Sequence, residues 1–146
     1  MKLTDTQHLR VERDYWRELA ETDQLTGLFN RFAFERRTHA REGWFVVCDL
    51  NNFKRAQDMH PSGHVYGDEV LRDFAMFLDS STRDSDRVAA RIGGDEFVIW
   101  CPTESGARAI TERVRNWTRS LVTAAAGMGK TLAAADAAMY NNKRTR

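Results

Sequence analysis

The sequence predicts an α/β fold: a mixed central sheet flanked by helices, entered through an N-terminal helix. Three observations predict it. Trp44-Phe45-Val46-Val47-Cys48 is a continuous apolar run, which suits a strand covered on both faces. Val88-Ala89-Ala90 and Phe97-Val98-Ile99-Trp100 are two short apolar runs separated by a stretch that contains Gly93-Gly94, and they read as a tight β-hairpin. Between the apolar runs lie stretches with apolar residues at helical spacing, so strands alternate with amphipathic helices. With 146 residues, 42% apolar and 29% charged, the chain has the makings of one folded domain with a real core.

Each element follows from local chemistry. Residues 4–22 place Leu9, Trp16 and Leu19 on one face of a charged helix, with Val11 and Tyr15 nearby. This thin stripe suits a partner helix or packing on the domain. Residues 1–22 are therefore read as an N-terminal helix and residues 23–146 as one compact domain. Gly27 breaks the first helix, and Asn30 caps a second over about 31–41, anchored by Phe32 and Phe34. The strand 44–48 ends at Asp49. Residues 54–63, closing on Pro61-Ser62-Gly63, read as a loop. Leu71, Phe74, Ala75 and Leu78 fall at i, i+3, i+4 and i+7, which predicts a helix over about 65–80. In the hairpin, alternation puts Asp95, Phe97 and Ile99 on one face and Glu96, Val98 and Trp100 on the other. Ala107, Ile110, Val114 and Trp117 predict another helix, Leu121 to Ala126 a strand, and Leu132, Ala135 and Met139 a last helix ending near Lys143.

The chemistry gathers at two places. Asp49 stands at the carboxyl end of a buried strand, where open α/β sheets place ligands. Asp95 and Glu96 follow the glycine pair at the hairpin tip. Carboxylates converging from neighbouring strands repel one another unless a cation neutralises them, and oxygen donors select Mg²⁺ or Mn²⁺. Lys54 and Lys143 offer charge to phosphates, so a metal-dependent phosphoryl or nucleotidyl transferase is the expected class. A net charge of +1 gives no support for a nucleic-acid footprint, and no apolar run reaches the roughly 20 residues of a membrane helix. The polar start, Met1 to Arg10, lacks a signal-peptide core, and the cytoplasm is the expected compartment. Cys48 and Cys101 read as buried reduced thiols. Gly127-Met128-Gly129-Lys130-Thr131 looks like the tail of a P-loop, but Ala124 stands where that pattern needs glycine.

Five ordered segments resemble the GGDEF domain, the diguanylate cyclase family. They are Asp23 to Arg31 (D-x-L-T-G-L-x-N-R), Asp49 to Lys54 (D-x-D-x-F-K), Gly63-His64 with Gly67-Asp68 (G-H-x-x-G-D), Gly93 to Phe97, and Ala135 to Tyr140 with Lys143 (A-D-x-A-L-Y-x-A-K). The resemblance implies a palm-like core of the nucleotidyl cyclase and ferredoxin-like kind. It implies condensation of two GTP into cyclic di-GMP with release of two pyrophosphates, by a homodimer in which each chain holds one GTP. By the same resemblance Asp49, the carbonyl of Leu50, Asp95 and Glu96 hold Mg²⁺ (or Mn²⁺), with Asp95 and Glu96 as the catalytic acids. Asn52, Phe53, Lys54 and Lys143 contact phosphates. Gln57 and Asp68 face the guanine, and Arg83 and Asp86 resemble an inhibitory product site of the R-x-x-D type.

The chain departs from the family pattern in four places. Asn51 stands for the second Asp of D-x-D, Gln57 for the guanine-contacting Asn, Pro61-Ser62 lengthens the intervening loop, and the part after Trp100 is short. Gln keeps an amide but adds a methylene. Two further readings accompany the cyclase: a module that binds GTP or cyclic di-GMP and acts through a partner, and a related cyclase with altered base choice.

Overall fold

A computed structural model describes residues 1–82 and 86–145. In chain order the elements are α1 (Asp5–Glu21), α2 (Arg31–Thr38), β1 (Trp44–Asn51), α3 (Phe53–Met59), α4 (Gly63–Thr82), β2 (Val88–Arg91), β3 (Glu96–Cys101), α5 (Glu104–Arg115), β4 (Thr118–Arg119), β5 (Val122–Gly129) and α6 (Leu132–Arg144). The five strands form one sheet in the order β2-β3-β1-β5-β4.

Every pairing between these strands is antiparallel. The mixed directions expected from alternating strands and helices arise differently. β1 and β2 run the same way because each is antiparallel to β3, which the hairpin inserts between them. The parallel contact is an isolated bridge from Phe29 to Ala90 at the β2 edge.

Alternation in the strands divides the core into two layers. Val46, Cys48, Leu50, Phe97 and Ile99 face α3, α4 and α5, where they meet Ala56, Leu71, Phe74, Leu78, Ile110 and Val114. Val47, Val98, Trp100 and Ala125 face the other way and are covered by Phe34 of α2 and Ala135 and Met139 of α6. Phe74 meets Phe97 and Trp117 edge-on, with ring centres 4.8 and 4.9 Å apart. Cys48 and Cys101 are buried free thiols, as expected. Burial pushes both thiols up, Cys101 to about 11, so both stay protonated.

Several expectations are corrected. Helix α2 ends at Thr38, and its anchor is Phe34 alone, because Phe32 is 60% exposed. β1 runs through Asp49 to Asn51, so Asp49 is paired on both sides, with Glu96 and with Ala125. Residues 53–59, expected to be mostly loop, form the short helix α3. It buries only Ala56, so it leaves no apolar period in the sequence. Its N-cap Asn52 has φ 62°, a left-handed conformation that Asn tolerates better than most residues. β5 continues to Gly129, with the two-residue β4 ahead of it.

The glycines of 127–131 serve packing. A Cβ on Gly127 would collide with Met139 N and Ala138 C, and one on Gly129 would lie 2.7 Å from Ala135 N. They let α6 sit directly on β5, and Thr131 caps α6 by accepting a hydrogen bond from Ala134 N. No phosphate loop is formed there. Of the resembling product site, Asp86 lies exposed in a bend, and Arg83 lies outside the described residues.

Candidate functional site

The site forms where β1, the hairpin tip and α6 meet. Asp49 is two residues beyond Val47, so its side chain leaves the sheet on the α6 side. On α6, Ala135, Met139 and Lys143 recur every four residues along one face. The first two pack on the sheet, and the third reaches Asp49, with Lys143 Nζ 2.9 Å from Asp49 Oδ2. The other oxygen, Asp49 Oδ1, is buried with no hydrogen-bond partner.

The tip carries Asp95 to the same place. Ile92 N and Gly93 N donate to Glu96 O, at 3.0 and 3.4 Å, and Leu50 N donates to Asp95 O at 3.3 Å. The tip glycines do not use the left-handed conformation expected of them; among the described glycines only Gly27 and Gly63 have positive φ. A Cβ on Gly93 would lie 3.0 Å from Glu96 Oε2, the end of an exposed side chain that can turn aside by a few tenths of an ångström. Arg91 holds the turn from outside. Its Nε and Nη2 donate to Gly94 O at 3.1 and 2.8 Å, and its Nη1 donates to Asp23 at 3.2 Å. Asp23 also accepts from the backbone and hydroxyl of Thr26, at 3.0 and 2.7 Å. Burial pushes the Asp23 carboxyl up, but the Thr26 hydrogen bonds and the Arg91 charge prevail and hold it below its ordinary value.

The D-x-L-T segment is thus a clasp on the tip, a role that its sequence alone did not reveal. Asp23→Ala is expected to cost about 2 kcal/mol, because it leaves a partly buried guanidinium unpaired. It should also speed amide exchange at Ile92 and Gly93. Chemical denaturation and hydrogen exchange check this.

Asp95 is held close to Asp49. Burial first, then the Asp49 charge, raise its carboxyl from 3.8 to about 6, while Lys143 pulls the other way. A group whose pKa is raised on folding stabilises the fold fully below its unfolded value, and that contribution is lost as pH rises through the folded value. In chelator, the protein should therefore lose stability between pH 4 and about 7 through Asp95. The loss is roughly 1 kcal/mol after water screening of this half-buried group. Asp95→Asn should flatten that part of the profile, measured by denaturant unfolding at each pH.

The pair fits a divalent cation on this structure's own evidence: an orphaned buried carboxylate oxygen, a second carboxyl that resists ionisation, and oxygen donors only. The pair is not a larger cluster. Among the described residues no group of three or more His, Cys, Asp or Glu side chains gathers for a metal. Glu96 is exposed, opposite Asp49 in register, with its carboxylate folded against Gly93.

The remaining predicted residues sort into two neighbourhoods. Asn51, Asn52, Thr123 and Lys143 line a hollow of about 340 Å³ beside the acid pair. Asn51 Nδ2 donates to Thr123 Oγ1 at 3.1 Å, and Asn52 Nδ2 donates to Leu121 O at 3.3 Å. Thr123 was not singled out in the sequence; strand alternation around Ala124 was the available signal. Lys54 is exposed on the first turn of α3, and Phe53 packs against the core. Farther along, Gln57 lies against Gly67, its Nε2 hydrogen-bonded to His64 Nδ1, with half-buried Asp68 one residue beyond Gly67.

α1 leaves Leu9, Val11, Tyr15 and Trp16 more than half exposed. Its end is tied to α2 by Glu21, buried and paired with Arg36 and Arg37, and by Asn30 Nδ2 donating to Ala20 O at 2.7 Å. Among the described residues no helix is long and apolar enough to cross a membrane.

Comparison with known proteins bears on this arrangement. The family model described as diguanylate cyclase, GGDEF domain, matches residues 20–126. The chain is 40% identical over 121 residues to the response regulator PleD of Caulobacter vibrioides, a match covering 75% of this chain and 26% of PleD. It is 36% identical over 120 residues to the cyclic di-GMP phosphodiesterase PdeR of Escherichia coli, covering 76% of this chain and 18% of PdeR. The chain thus spans about a quarter or less of these relatives' length. Its structure matches the coiled coil and GGDEF domain of DgcB from Caulobacter crescentus, solved with c-di-GMP, at TM-score 0.75 and 28% identity, covering 97% of this chain and 90% of that one.

Proposed function

The chain belongs to the diguanylate cyclase GGDEF family, and on that premise we propose that it condenses two GTP into cyclic di-GMP with release of two pyrophosphates. The observation that carries this reading is the convergence of Asp49 and Asp95, from separate strands, beside Lys143 and its hollow. Asp49, Asp95 and the carbonyl of Leu50 would hold Mg²⁺ or Mn²⁺. When bound, such a cation supplies positive charge to the triphosphate and acidifies the attacking hydroxyl.

The chain's own residues do the rest. Lys143, Lys54 and Asn52 bind the phosphates, the lysines offsetting charge on the departing pyrophosphate. Asp68 accepts hydrogen bonds from the guanine N–H edge, which adenine lacks in that form. Glu96, at the head of β3, stands ready to take a proton at the mouth of the site. Each chain carries one acid pair and one base site. Two chains face to face therefore bring the 3′-hydroxyl of each GTP to the α-phosphate of the other. The exposed stripe of α1 suits pairing with its copy in that dimer, in line with the coiled coil solved together with the GGDEF domain of DgcB.

The test is nucleotide turnover by the purified protein at high concentration with GTP and Mg²⁺, the product read by mass spectrometry. Cyclic di-GMP formation that depends on metal and protein concentration is expected. Absence of product with GTP binding intact would reject the cyclase.

One observation favours a second reading, a module that binds nucleotide and acts through a partner. The Gln57 side chain is already engaged by His64 and Gly67 rather than open to a base. Calorimetry with GTP, ATP and cyclic di-GMP, alongside the turnover assay, separates the two, since such a module binds without turnover.

A further inference from the structure

Lys143 stands between two anionic demands. Its ammonium bonds Asp49 Oδ2 at 2.9 Å, and the residue also lines the hollow shared with Asn51, Asn52 and Thr123. The two partners differ in freedom. The Asp49 side chain is 15% exposed and is fixed in the middle strand of the sheet, whereas Lys143 is 42% exposed in the last turn of α6. Four methylenes let the ammonium swing from the carboxylate into the hollow without moving the helix, because Ala135 and Met139 anchor α6 by themselves.

We propose that Lys143 acts as a built-in surrogate cation: it competes with the divalent ion for Asp49, and the ion, on binding, releases it to the hollow, where it meets an anion. The charge count supports an exchange. Two ionised carboxylates carry −2, and Lys143 answers only half of it. A divalent ion answers all of it, after which an ammonium at Asp49 Oδ2 would face a second positive centre with nothing left to neutralise. Asp49 Oδ1, buried and without a partner, marks the half that Lys143 does not satisfy. The consequence is linkage: the metal and the anionic part of the nucleotide favour each other because both favour one position of one side chain.

The inference rests on the metal reading of Asp49 and Asp95, and its test keeps the two apart. Mn²⁺ alone, without nucleotide, is titrated into the full chain and the free ion is read by electron paramagnetic resonance. Lys143→Met, which removes the charge but keeps the stem, is expected to bind Mn²⁺ roughly fivefold more tightly than wild type. Lys143→Arg, which keeps the charge, is expected to bind as wild type does. Asp95→Asn is the control that should bind far more weakly. Thermal melts of all variants show that the fold is kept. Equal or weaker Mn²⁺ binding by Lys143→Met, with wild type binding normally, overturns the exchange alone. No Mn²⁺ binding by wild type overturns the metal reading together with it.

Discussion

Asp95→Ala is expected to lower cyclic di-GMP formation by roughly a thousandfold or more, about 4 kcal/mol of transition-state stabilisation, while making the fold in chelator more stable. The two effects have one origin. Asp95 sits half-buried beside Asp49, and burial and the neighbouring charge raise its carboxyl to about 6. At neutral pH its ionised form therefore strains the metal-free fold, and alanine removes that strain at a gain of roughly 1 kcal/mol, or a few degrees in Tm. The same carboxylate is one of the three oxygen donors that would hold the cation, so its loss weakens the site's grip on the triphosphate. Initial rates by mass spectrometry and melting in chelator, measured on one preparation, check both signs. A variant that keeps more than about a tenth of the rate would take Asp95 out of the chemistry. A variant that melts lower would mean that its charge is not held at a cost.

The largest effect on stability is expected at Gly127. Helix α6 rests directly on β5 because Gly127 has no side chain. A Cβ would collide with Met139 N and Ala138 C and lie 2.7 Å from Ala135 O. All three are backbone atoms of a helix packed along its length, so none can move aside alone. Gly127→Val should cost more than about 4 kcal/mol, and in any surviving folded population it should lift α6 and separate Lys143 from Asp49. Gly94→Ala is the contrast. Nothing lies within 4 Å of a Cβ there, and its φ is not left-handed, so stability should stay within about 0.5 kcal/mol of wild type. Denaturant unfolding of the two variants decides the point.

How far the sequence could be read depended on whether the signal was periodic. The α4 pattern of Leu71, Phe74, Ala75 and Leu78 and the alternation along β3 both reappear as buried faces, because each repeats the period of its own backbone. α3 escaped notice because it buries a single alanine. The Gly93-Gly94 pair suggests a left-handed turn, but neither glycine adopts positive φ, because the tip is closed by backbone bonds from Ile92 and Gly93 to Glu96 that need no such conformation. Phe32 and Phe34 look alike in the sequence, and only the direction of α2 makes one core and the other surface.

By itself, the sequence determined the family, the helix and strand periods, and the candidate acids Asp49 and Asp95, because these depend on residue type and short spacing. Three things only the tertiary structure decided. They are the antiparallel insertion of β3 between β1 and β2, the clasp of Asp23 and Arg91 on the hairpin tip, and the reach of Lys143 to Asp49. Each depends on residues 47 to 94 positions apart along the chain, the first through the β1–β3 pairing. Contacts of that range depend on how helices settle on a sheet, and no local spacing records it.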